Sequence, residues 1–135
     1  MIRDHLIPAL KREFPTWEIS FDVPPNPIAT FPASQEAVGK VLICDDGYEA
    51  TVYIEKITHG HFNTYGEALT EDESAKVITE GVIDFLKALF SDQVLLHTNP
   101  DNRIGGWERL DLSDGPMQLE GSYRYFLWSK PYEVT

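Results

Sequence analysis

Residues 58–66 (THGHFNTYG) hold the side chains best suited to chemistry. His59 and His61 stand two apart, and on an extended backbone both leave by the same face. Two imidazoles so placed supply half of a transition-metal site, which His97 or Glu67 would complete as a three-ligand set with one position open. Such an ion would activate a water while an acidic neighbour carried its proton, the parts of a metal-dependent hydrolase. The plainer reading makes these histidines hydrogen-bonded members of a nine-residue connection, anchored to the core by Phe62 and Tyr65.

A second group is Asp45, Asp46, Glu49 and Glu55. Paired carboxylates can hold Mg²⁺ or divide acid and base roles. Here Asp46 belongs to a turn, and Glu49 and Glu55 fall on the polar positions of an alternating stretch, which reads as a solvated face. Cys44 lies in an apolar run, where a thiol is inert packing. Neither a phosphate-cradling glycine loop nor a serine-hydrolase elbow is present in the sequence. With no complete catalytic constellation, the reading leans away from an enzyme and expects no cofactor, a divalent transition metal being the alternative.

The elements that must position these groups follow from periodicity. Ile2, Leu6, Leu10 and Phe14 recur at spacing four, an amphipathic helix that Pro8 should kink or delay, with a cap near Asp4. Residues 17–23 (WEISFDV) alternate as a strand with one wet face. Pro24, Pro25, Pro27 and Pro32 make residues 24–32 a stiff extended crossing. Residues 40–45 and 48–57 form a hairpin about Asp46-Gly47, a dipeptide suited to positive φ. A helix from Thr70 to about Phe90 opens on a Thr70/Glu73 capping box and turns Ala75, Ile78, Val82, Phe85, Leu86 and Leu89 to one side. Residues 93–98 read as a buried strand, 99–106 as a loop, 107–112 as a weaker strand and 118–130 as a final long one.

The expected order is αβββαβββ: one α+β domain over residues 1–135. Its mostly antiparallel or mixed sheet has about five to six strands, on which both helices pack. The run of helix, three strands, helix and strand resembles the core topology of the PD-(D/E)xK nucleases. That likeness is one of topology alone: the family's acid and lysine lie two apart on one strand, whereas Glu55 and Lys56 are adjacent and face opposite ways.

Charge narrows the partners. The net charge is −11, and residues 45–84 hold ten acids against two bases, a local −8. Such a field repels phosphate backbones and anionic lipid and draws basic proteins. Glu49, Glu55, Glu71, Asp72 and Glu73 are the candidates for an acidic binding face. Trp107, Arg124 and Trp128 add side chains of the types that dominate interface hot spots. The lone Cys44, with no apolar run of spanning length and a charged N-terminal stretch, points to a reducing cytoplasm. The leading expectation is a small non-enzymatic binding, adaptor or inhibitor protein, immunity-like in size and charge, that engages a basic protein. The alternatives are the hydrolase above and a structural subunit of an oligomeric or phage-like assembly.

Overall fold

Helix α1 (Ile2–Glu13) buries Ile2, Leu6, Ala9 and Leu10, the expected stripe. It runs unbroken through Pro8 from an N-cap at Met1, rather than starting at Asp4 or later. Pro8 removes the amide that would bond the Asp4 carbonyl, but both residues lie on the exposed side, open to solvent. The computed structural model of the chain describes residues 1–21, 27–99, 101, 104–112, 119 and 121–132.

Between the helices runs an antiparallel meander of five strands in sequence order: β1 (Ser20–Phe21), β2 (Ala29–Phe31), β3 (Val41–Asp45), β4 (Glu49–Ile54) and β5 (Thr58–Asn63). Three strands were expected there. The expected strand over 17–23 is only two residues long as described, β2 forms inside the proline tract between Pro27 and Pro32, and β5 replaces a loop. Pro24 and Pro25 lie outside the described residues.

Helix α2 (Glu71–Phe90) begins as expected. The Thr70 hydroxyl accepts the Glu73 amide at 3.2 Å, and the Glu73 carboxylate accepts the Thr70 amide at 3.2 Å. All six expected stripe residues are buried. Gly81 faces Phe62 of β5 at ordinary contact distance, 3.5 Å from an added Cβ. Lys87 Nζ meets Glu13 at 3.0 Å, tying α2 to α1, and holds the Glu13 carboxyl below its ordinary range.

A separate three-stranded antiparallel sheet follows, β6 (Val94–Asn99) between β7 (Ile104–Arg109) and β8 (Arg124–Phe126). The single sheet expected from the sequence is thus two sheets sharing one core, which includes Val94, Leu96 and Trp128 with the meander and both helices. Gly105 and Gly106, expected in a loop, sit within β7. A Cβ on Gly105 would lie 1.9 Å from the Ile57 carbonyl oxygen, so only glycine lets β7 approach β5 this closely. Arg109 pairs with Asp84 of α2 and with Asp111, which raises its affinity for its proton still further.

The final strand is shorter than expected. Gln35 Nε2 donates to the Leu127 and Trp128 carbonyls, and Asp92 accepts the Ser129 amide, so the chain leaves the ladder after Phe126. The expected turn at 113–116 and the start of that strand at 118 lie outside the described residues. No described helix is long and apolar enough to cross a membrane.

Candidate functional site

Two turns and the start of α2 enclose a pocket of about 550 Å³. The first turn joins β3 to β4. Its central residues are Gly47 and Tyr48, one position later than the expected Asp46-Gly47. The Asp46 amide bonds the Glu49 carbonyl at 2.9 Å, and Gly47 alone has positive φ, the pattern of a type II′ turn. The Asp45 carboxylate accepts the Gly47 amide at 2.9 Å and fixes the shift. The second turn spans 64–67, where Gly66 takes φ +85 and the Glu67 amide bonds the Thr64 carbonyl.

Each turn pushes a tyrosine outward beside its glycine. Tyr48 is 79% exposed and Tyr65 65% exposed, high values for aromatic side chains, and both stand on the pocket rim. The floor is Ile2, Ala75 and Ile78, all buried, with Leu69 beside them. The Thr64 and Ser74 hydroxyls bond to each other along one wall. Asp45 and Glu71 add carboxylates to the lining. The capping box occupies amides at the start of α2, and Glu71, Asp72 and Glu73 surround them, so this helix end repels anions. The pocket therefore suits an apolar group with a cation beside it.

A second constellation lies on the outer face of the meander, away from the helices. Register places Thr51 opposite His61, Tyr53 opposite His59, Cys44 opposite Thr51 and Glu49 opposite Asn63. His59 and His61 do share a face, their ring centroids 4.9 Å apart, with the Tyr53 ring 5.5 Å from His59. His61 Nδ1 lies 3.2 Å from Glu49 Oε1 and 3.3 Å from Thr51 Oγ1. Thr51 donates to Asp46, and Asn63 donates to the other Glu49 oxygen at 3.3 Å. Burial, then the Asp46 carboxylate, push the Cys44 thiol up, which makes it a poor nucleophile.

The remaining candidates scatter. His97 lies on β6 in the other sheet, its ring 5.5 Å from that of Tyr123. Among the described residues no three His, Cys, Asp or Glu side chains are grouped to hold a metal, so the expected set with His97 or Glu67 is not assembled. Several of the candidate acids have local partners. Glu55 accepts the Lys40 amide at 3.1 Å, Glu73 serves the cap, and Asp72 meets His5 Nε2 at 2.8 Å, leaving Glu71 on the pocket. Trp128 is 3% exposed against Phe90, and Trp107 is half-buried against Phe85, so both serve packing; Arg124 is exposed on the edge strand β8.

The tyrosine rim was not among the expected site residues. Its sequence signal is an aromatic residue beside a turn glycine, Gly47-Tyr48 and Tyr65-Gly66, where a large side chain has no core to enter. Comparison with protein-family models, with curated proteins and with solved structures returned no match.

Proposed function

We propose that the chain is a binding protein that receives a basic protein segment in the pocket between Tyr48 and Tyr65. One apolar side chain of the partner seats on Ile2, Ala75 and Ile78, and a flanking lysine or arginine meets Asp45 and Glu71. The observation that carries this reading is the pocket itself, an apolar floor under two exposed tyrosines with carboxylates at its edge. Rigid aromatic side chains give contact area at low entropic cost. The net charge of −11 steers a basic partner toward the site and disfavours nucleic acid. An inhibitor or adaptor role follows from occupancy alone and needs no catalytic group.

Selection from a random peptide library tests it, with the chain as bait and a Tyr48→Ser/Tyr65→Ser variant as counter-selection. Recovered peptides should carry lysine or arginine within a few positions of a large apolar residue. Truncating both tyrosines should weaken them at least tenfold, about 1.4 kcal/mol. Affinity should fall as salt rises from about 0.1 M to about 1 M, where the Debye length shrinks from about 10 Å to about 3 Å. Peptides without basic residues, or binding indifferent to both tyrosines, would overturn the reading.

A further inference from the structure

The outer face of the meander carries a different chemistry from the pocket, and the groups around His61 favour one arrangement of its ring proton. Thr51 spends its only hydroxyl proton on Asp46, so toward His61 it can only accept. The Glu49 carboxylate, 3.2 Å from the same nitrogen, can likewise only accept. Both neighbours of Nδ1 therefore want a donor, and the ring proton belongs on Nδ1. That leaves Nε2 of the neutral ring with a bare lone pair. A carboxylate holding the far nitrogen of a histidine is the usual outer support of a metal-ligating imidazole, because it fixes the tautomer and raises the ring's basicity. Here the support is itself supported, since Asn63 holds the second Glu49 oxygen.

We infer that His59 and His61 form a bidentate chelate for a borderline divalent transition ion such as Cu²⁺, Ni²⁺ or Zn²⁺, with water completing its coordination. The spacing agrees. A metal about 2.0–2.1 Å from each nitrogen sits about 3.2 Å from each ring centroid, so ligand angles between about 90° and 110° put the two centroids about 4.5–5.2 Å apart. The observed separation is 4.9 Å. The rings stand 87° to each other, which costs nothing, since each ring needs only to contain its own metal–nitrogen bond. The site is open, His61 being 49% exposed, so an ion enters without opening the fold. Glu49 and Asp46 offset the ion's charge from one side. Imidazole nitrogen selects these ions over Mg²⁺ and Ca²⁺, and the order of affinity should place Cu²⁺ above Ni²⁺ and Zn²⁺. No third side chain is required, which is why the failure of His97 and Glu67 to join the pair leaves the chelate intact.

Calorimetric titration of the untagged chain with Zn²⁺ and Ni²⁺ tests the assignment, with melting curves in the absence of metal to show that each variant folds. One ion per chain is expected. His59→Ala and His61→Ala should each weaken it at least about tenfold, and Glu49→Gln, which touches no ligand atom, should weaken it several-fold. His97→Ala should leave it unchanged, and Mg²⁺ and Ca²⁺ should give no heat. Electron paramagnetic resonance of the Cu²⁺ form should count two equatorial imidazole nitrogens in the wild type and one in His59→Ala. Equal affinity of wild type and His59→Ala, a loss in His97→Ala matching that in His61→Ala, or a single nitrogen in the wild type would each overturn the chelate.

Discussion

The two faces of the meander are made by the same strands and held in opposite ways. On the inner face Val41, Ile43, Ala50, Val52 and Ile54 are each 1% exposed or less, and they meet helices that bury a matching stripe. On the outer face Thr51 is equally buried, yet its neighbours are Asp46, His61, Glu49 and Cys44. Burial on one side is non-directional and rewards area. On the other it is directional, because every donor and acceptor taken from water must find a partner. The inner face can therefore be rebuilt with other apolar side chains of like volume, whereas the outer face specifies particular atoms.

The sharpest way to break that contrast is to remove area from the inner side. Phe31 is fully buried, with Phe14, Trp17 and Phe90 rings 4.9–5.7 Å away. Phe31→Ala should destabilise by about 3–5 kcal/mol, read as a lower urea midpoint. A loss under about 1 kcal/mol would mean that this aromatic cluster does not hold the sheet to the helices.

Next comes contact between the two sheets. Gly105→Ala would drive a methyl group into the Ile57 carbonyl, and a backbone atom has no rotamer by which to escape. Its cost should reach the upper part of the range for overpacking, about 1–3 kcal/mol. Hydrogen exchange should show the loss at the β5–β7 contact first. A neutral substitution would show that β7 does not lie against β5.

Thr51→Val then tests the outer face directly. Valine keeps the shape and removes the hydroxyl, so Asp46 loses its donor and His61 Nδ1 loses its hydroxyl partner. The expected loss is about 1–2 kcal/mol. If this face were held by area, the same change would be neutral or stabilising.

How much of this could be read in advance divides along the same line. Helix α2 was legible to its cap and its six core residues, since Thr70, Glu73 and the stripe are local signals. The β3–β4 hairpin was legible, but its turn moved by one residue because Asp45 bonds the Gly47 amide. Strand β5 was not, for only Phe62 among its inward positions is strongly apolar, and Gly60 finds its partner in the indole of Trp107, 47 residues away in sequence. Strand β7 was hidden in the same way, its Gly105 required by the distant Ile57 carbonyl and its Gly106 packed against the His97 ring. The shared face of His59 and His61 followed from spacing, whereas Glu49 beside His61 depends on register, which a one-residue slip would undo. The pocket needed the hairpin tip and the start of α2 to meet at one end of the molecule, and no local pattern carries that.

The smallest effect is expected where a directional contact has no burial at all. His5 Nε2 bonds Asp72 Oδ1 at 2.8 Å across the α1–α2 contact near the pocket, and the Asp72 carboxylate is exposed. The hydrogen bond and charge of His5 hold the Asp72 carboxyl below its ordinary range. Because the folded state binds that proton less readily than the unfolded chain, the pair contributes stability above the unfolded value of about 3.9 and loses it as pH falls through the lower folded value. Carboxyl NMR titration should therefore find Asp72 protonating below about 3.9 in the wild type and closer to it in His5→Ala. The stability difference between the two should be small at neutral pH, shrink with added salt and vanish in strong acid. A large difference at neutral pH would mean that exposed contacts near the pocket share the weight carried by Thr51, and the division between the two kinds of burial would fail there.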